Sequence, residues 1–152
     1  MNHLIITSDV KLALLMGDTR RAAHLLGHPY TLEGVVVHGH QLGRRLGYPT
    51  ANLSLTDPEA VIPKNGVYAA LATLQDGSWY KAMVNIGYRP TVDNDHRLTI
   101  EAHLIGFDGD IYDQTMSLSF TDRIRDERKM ESLDDLKAQL AKDLEETKRT
   151  RL

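Results

Sequence analysis

Thr50 and Asn52 stand two residues apart in the run Gly47-Tyr48-Pro49-Thr50-Ala51-Asn52. On an extended backbone alternate side chains point to the same side, and Pro49 restrains the chain just ahead of them. Two neutral oxygens can then face one point. Such a pair suits Mg2+, which prefers oxygen, keeps several waters and is often held by few protein groups together with substrate phosphates. The same side chains could equally satisfy backbone groups at the start of a strand. Upstream lie Gly39, Gly43 and Gly47, spaced by four, with Arg44 and Arg45 among them. Glycines at that density let main-chain N–H groups converge on anionic oxygens, and an arginine adds a charge-assisted bond. The other reading is a hairpin carrying solvated arginines. No Walker-type phosphate loop is present. His38 and His40 alternate without a third ligand nearby, which is poor evidence for zinc.

The elements that must position these residues fall into three parts. Residues 9–26 have apolar side chains at helical spacing, broken at Gly17-Asp18, which predicts two short helices. From about Thr31 to Thr121 the chain is punctuated by Gly, Pro and Asn-Gly or Asp-Gly pairs. Short β-rich runs lie between them: LEGVVVHG, GVYAALATL, YKAMVNIG, LTIEAHLI and TMSLSF. Five or six short strands with tight turns favour a small antiparallel barrel over a parallel α/β sheet. Asn85, Arg89 and Pro90 are expected in a tight turn. Ser132 can cap a final helix with Asp134 and Asp135 in its first turn and Leu133, Leu136, Leu140 and Leu144 as its apolar stripe. The charged tail EETKRTRL is expected to fray.

Composition bounds the function. A chain of 152 residues, 41% of them hydrophobic, suffices for one compact domain. A net charge of −3 provides no global basic field, and 6% aromatics leave few stacking platforms, so a nucleic-acid partner is not expected. The absence of cysteine excludes disulfides and thiolate metal sites. No apolar run approaches the roughly 20 residues of a membrane span, and no signal-peptide pattern opens the chain. A cytoplasmic protein is expected.

The order VVHGHQLGRRLGYPTANL, GVYAA, MVNIGYRPTV, IEAHLIGFDGDIY and RIRDERKMESLDDLKAQLAKD resembles that of bacterial riboflavin kinases, from Tyr30 to about Lys148. The Pro-Thr-Ala-Asn tetrapeptide with its glycine-rich approach is the most specific mark. The resemblance implies a mainly β fold, a six-stranded antiparallel Greek-key barrel with a C-terminal helix and a short helical N-terminal segment. It implies residues 1–29 as a helical, linker-like segment and 30–152 as the kinase domain. The implied activity is transfer of the γ-phosphate of MgATP to the 5′-hydroxyl of riboflavin, giving FMN and ADP. A catalytically weakened flavin-binding or regulatory module on the same barrel is the alternative.

By the same resemblance, Gly39, Gly43, Arg44 and Gly47 would cover the nucleotide phosphates, with Tyr112 nearby. Thr50 and Asn52 would hold magnesium, and Glu101 would be the base. That role has its own chemical sense, since a ribityl hydroxyl is a poor nucleophile until a carboxylate takes its proton. Arg125 and Glu127 match a loop on the flavin side, although an Arg and a Glu two apart could equally be a surface ion pair. The 85–90 segment matches a second lid.

The chain departs from the family where Gly106 replaces a usual aspartate, where Asp113 replaces a glycine after Tyr112, and where Met130 replaces phenylalanine. Asp113 could force a different turn if that glycine has positive φ, although aspartate tolerates the region better than most residues. Bacterial relatives usually carry an adenylyltransferase domain ahead of the kinase. Residues 7–11 match its terminal signature only loosely, with Lys11 in an arginine position, and no FAD synthesis by this chain is expected. A separate, missing N-terminal adenylyltransferase domain is the implied partner.

Overall fold

A computed structural model describes residues 6–37, 49–90 and 96–151. The N-terminal segment forms two helices, α1 (Ser8–Leu15) and α2 (Thr19–Leu26), parted at Gly17-Asp18 as the spacing predicts. Gly17 takes a left-handed φ of 79°, a conformation that ends a helix at little cost only for glycine. Asp18 then caps α2, its carboxylate accepting from the Arg21 N–H at 3.0 Å. Val10, Ala13, Leu14 and Ala22 turn inward and join the barrel's core.

Six strands follow: β1 (Thr31–Val37), β2 (Ala51–Leu55), β3 (Gly66–Leu74), β4 (Trp79–Pro90), β5 (His96–Leu104) and β6 (Thr115–Arg125). They close in the order β1-β2-β5-β4-β3-β6, every neighbouring pair antiparallel. β3, β4 and β5 are consecutive neighbours, while β2 lies beside β5 and β6 beside β3, so the topology is two overlapping Greek keys. The Asn85-to-Pro90 segment, expected as a turn, is the second half of β4. Its partners Glu101 through His96 on β5 continue the ladder to the end, which no turn would allow.

The barrel is narrow, and its inward side chains fill it by alternating large and small. Tyr68 and Phe120 meet edge to face, ring centroids 5.5 Å apart, while Ala70, Ala72, Ala82 and Ala102 occupy the tight levels. At Gly34 the strands approach so closely that a Cβ would stand 2.2 Å from the Ser54 carbonyl oxygen.

The final helix, α3 (Leu133–Arg149), begins at Ser132, whose hydroxyl accepts from the Asp135 N–H. It packs over the outer face of β3, β4 and β6. Val67, Ala69 and Met83, outward-facing residues of β3 and β4, are buried. The expected leucine stripe is only partly the buried one. Leu133 is exposed, and the two fully buried positions are Asp143 and Thr147. The tail does not fray from Glu145: the helix runs to Arg149, and Lys81 Nζ donates to the Lys148 and Thr150 carbonyls at 2.8 and 2.7 Å. That cation meets carbonyls the helix end leaves unpaired.

Two buried tyrosines tie the fold to pH. Tyr30 donates to the Val61 carbonyl at 2.6 Å and Tyr68 to that of Lys64, and burial pushes both hydroxyls up to about 12. The folded state thus favours the neutral phenols. Their contribution is complete below the unfolded value of about 10 and is lost as pH rises through the folded one. Urea titrations should show stability falling between about pH 10 and 12, and Tyr68→Phe should lessen that fall; an unchanged slope in the variant would contradict the assignment.

Candidate active site

The site grows from one rung of the barrel. Val37 pairs with Asn52, Asn52 with Glu101, Glu101 with Asn85, Asn85 with Val67, and Val67 with Arg125. Directly paired residues point to the same face, with Cβ atoms roughly 5 Å apart. The neighbours Ala102, Val84 and Ile86 point into the barrel, so this rung faces outward. Outward polar side chains in a sheet are ordinarily solvated, yet Asn52 is only 7% exposed and Glu101 only 8%. Asn85 is half-buried. Arg125 reaches the rung through a bulge. The register shift between Val67 and Tyr68 inserts one residue in β6, so that Arg125 and not Ile124 opposes Val67.

Among the described residues the seam between β2 and β5 has two rungs, Ala51–Ala102 and Asn52–Glu101. Pro49 has no N–H with which to extend it. A side chain takes over: His103 Nδ1 lies 2.8 Å from the Pro49 carbonyl oxygen. Because that oxygen only accepts, Nδ1 carries the proton. Thr50, half-buried, is thereby held between a pinned carbonyl and the first ladder residue.

On the same outer face, two residues beyond Asn85, Gly87 receives the Glu127 carboxylate. A Cβ there would stand 2.1 Å from Glu127 Oε1. Arg125 makes its ion pair with Asp143 of α3 at 2.8 Å.

Tyr112 lies off this rung, 39% exposed, in the loop from β5 to β6. That loop is tied to the end of β1: the Asp113 N–H donates to Val36 O and the Val36 N–H to Gln114 O, each at 2.9 Å. Tyr112 therefore sits beside the point where the chain leaves β1 for residues 38–48. Asp113 adopts φ 67°, so the aspartate takes the left-handed conformation itself, at a cost of about 1–2 kcal/mol. Gly106 also has positive φ, 82°, with open space around it. Gly39, Gly43, Arg44 and Gly47, with His38 and His40, lie outside the described residues.

The donor set fits a hard cation shared with phosphates. Asn52 and Thr50 supply neutral oxygens beside the Glu101 carboxylate, and Asn52 Nδ2 is buried without a hydrogen-bond partner. Among the described residues no cluster of three His, Asp, Glu or Cys side chains could hold a metal unaided. In a separate cleft of about 430 Å³, lined by Arg20, Asp122, Glu146 and Arg149 among others, Arg20 pairs with Asp122 and Arg149 with Glu146.

The riboflavin kinase (Flavokinase) family model matches residues 26–151. The chain belongs to the riboflavin kinase family. It is 41% identical over 144 residues to the bifunctional riboflavin kinase/FMN adenylyltransferase of Haemophilus influenzae, covering 95% of this chain and 46% of that protein. The chain thus spans a little under half the length of the curated relatives it matches. The crystal structure of riboflavin kinase from Trypanosoma brucei superposes with a TM-score of 0.57 at 27% identity, over 79% of this chain and 78% of that one. That of a macrolide-efflux protein from Streptococcus pneumoniae gives a TM-score of 0.88 at 38% identity, over 97% of this chain and 47% of that one. No helix among the described residues is long and apolar enough to cross a membrane.

Three members of the site escaped the sequence reading. His103 had a signal, since it stands two residues after Glu101 on the same strand face. Asn85 was assigned to a turn. Asp143 had no signal, because a lone aspartate on a charged helix reads as solvated.

Gly87→Ala should push Glu127 aside and free the 126–131 loop without unfolding the barrel. Tryptic cleavage at Arg128 and Lys129 should speed up several-fold while the melting temperature stays close to wild type; unchanged cleavage would mean that Glu127 does not tether the loop.

Proposed function

We propose that this barrel phosphorylates riboflavin, transferring the γ-phosphate of MgATP to the ribityl 5′-hydroxyl to give FMN and ADP. The observation that carries the reading is the pairing of Asn52 with Glu101, both buried on the outer face and flanked by Asn85. Glu101 accepts the proton of the 5′-hydroxyl while that oxygen forms its bond to the γ-phosphorus and the bridging oxygen leaves with ADP. Thr50 and Asn52 offer the oxygens that would hold magnesium, and magnesium, when bound, neutralises charge on the transferring phosphates. Asn52 Nδ2 donates toward the bound phosphates. Gly39, Gly43, Arg44 and Gly47 cover the nucleotide, with Tyr112 beside it, and Arg125 and Glu127 flank the flavin ring.

Residues 30–152 form the kinase unit, with 1–29 as its helical approach. The partner that the longer relatives suggest is an adenylyltransferase domain, which would use the FMN made here. An intact Asn52–Glu101–Asn85 row favours turnover over a module that only binds flavin.

Incubation with riboflavin and MgATP, followed by chromatography, should show FMN. Thr50→Val and Asn52→Leu should each lower the rate by roughly 10²-fold or more and raise the magnesium needed for half-maximal rate. Folded variants that turn over like wild type at the same magnesium concentration would remove this pair from the site.

A further inference from the structure

Asp143 is the most deeply buried charged side chain among the described residues, 1% exposed, and it forms its ion pair with Arg125. Removing a carboxylate from water costs several kcal/mol unless it is fully paired. Here it is. Arg125 Nε donates to Oδ1 at 2.9 Å and to Oδ2 at 3.0 Å, Arg125 Nη2 donates to Oδ2 at 2.8 Å, and Gln139 Nε2 donates to Oδ1 at 2.9 Å.

A buried ion pair is seldom more stabilising than apolar side chains of equal volume, and Leu136, Leu140 and Leu144 show that this helix face can supply them. What the pair adds is direction. Arg125 Nη1 donates to the Asp126 carbonyl at 3.0 Å, which fixes the first peptide of the loop leaving β6. Two residues on, Arg128 Nη2 donates to Gln139 Oε1 at 3.2 Å, and Gln139 is itself held by Asp143. Both neighbours of Glu127 are therefore tied, directly or through one side chain, to the same buried carboxylate. Glu127 is the residue between them, and its carboxylate rests on Gly87 beside the Asn85–Glu101 pair.

We propose that Asp143 is a positioning residue for riboflavin recognition: through Arg125 and Gln139 it holds the 126–128 segment so that Glu127 meets the flavin from the outer face of β4. The proposal rests on the reading that Arg125 and Glu127 flank the flavin. It makes the C-terminal helix part of one substrate's site and not of the other's, because the ATP-side groups lie on the β1–β2 connection, on β2 and, with Tyr112, on the loop from β5 to β6.

The test is Asp143→Asn, which keeps the volume and one acceptor but sets an amide against the guanidinium. Riboflavin affinity is read by quenching of flavin fluorescence, and steady-state kinetics give separate KM values. We expect the riboflavin Kd and KM to rise tenfold or more while the KM for ATP stays within about twofold. Gln139→Leu, which removes the Arg128 tether and one bond to Asp143, should show the same split at about threefold. A fall in melting temperature alone, or equal rises in both KM values, would overturn the proposal by making Asp143 merely structural. Should Asp143→Asn fail to fold, Gln139→Leu decides, and wild-type riboflavin affinity there is equally fatal. A wild-type protein that binds riboflavin but forms no FMN would sink the kinase reading while the affinity comparison still judges Asp143. One that binds no riboflavin overturns both.

Discussion

Among the described residues, closure of the barrel between β2 and β5 rests on two rungs, and one of them is the pair Asn52–Glu101. The neighbouring seam between β4 and β5 runs on through nine. The short seam is thus both where the cylinder shuts and where the buried Glu101 carboxylate stands beside the Asn52 amide. At its upstream end Pro49 cannot donate to a ladder, and His103 donates to the Pro49 carbonyl in its place. A segment anchored at Pro49 and at Ala51 leaves Thr50 little freedom. A side chain preset in this way costs less to order if a ligand binds to it.

A second constraint comes from outside the barrel. The outer face of a small antiparallel barrel is usually solvated, but α3 packs on β3, β4 and β6, and on β2 and β5 the outward Asn52 and Glu101 are themselves buried. Charge–dipole interactions there are stronger than in bulk solvent. Phosphoryl transfer depends on alignment and charge neutralisation more than on covalent participation by the protein. A row of amides and one carboxylate, held at strand spacing, suits that demand.

How much of this was legible beforehand can be read from single residues. LTIEAHLI was legible as a short β-rich run, and it forms most of β5, whereas the place of His103 beside Glu101 on the outer face was not drawn from it. Gly17-Asp18 marked the helix break because only glycine takes φ 79° at little cost there. Alternation was muted where both faces are buried: GVYAALATL is covered inside by the core and outside by α3, so nearly every residue counts as interior. β2, five residues long, was visible only as an extended start around Asn52. Asn85 was misread because Gly87 and Pro90 are common turn signals, whereas Gly87 serves to admit Glu127. Asp143 was invisible because its burial depends on Arg125, eighteen residues earlier and brought there by a bulge.

The claim on which the account turns is that Glu101 takes a proton during phosphoryl transfer, and single-turnover rates for the wild type and Glu101→Gln test it most directly. Glutamine keeps the volume and most hydrogen bonds but accepts a proton poorly. General-base assistance is typically worth roughly 10²- to 10⁴-fold. The account predicts a loss in that range for the glutamine variant, with riboflavin affinity little changed. A variant within a few-fold of wild type would contradict it.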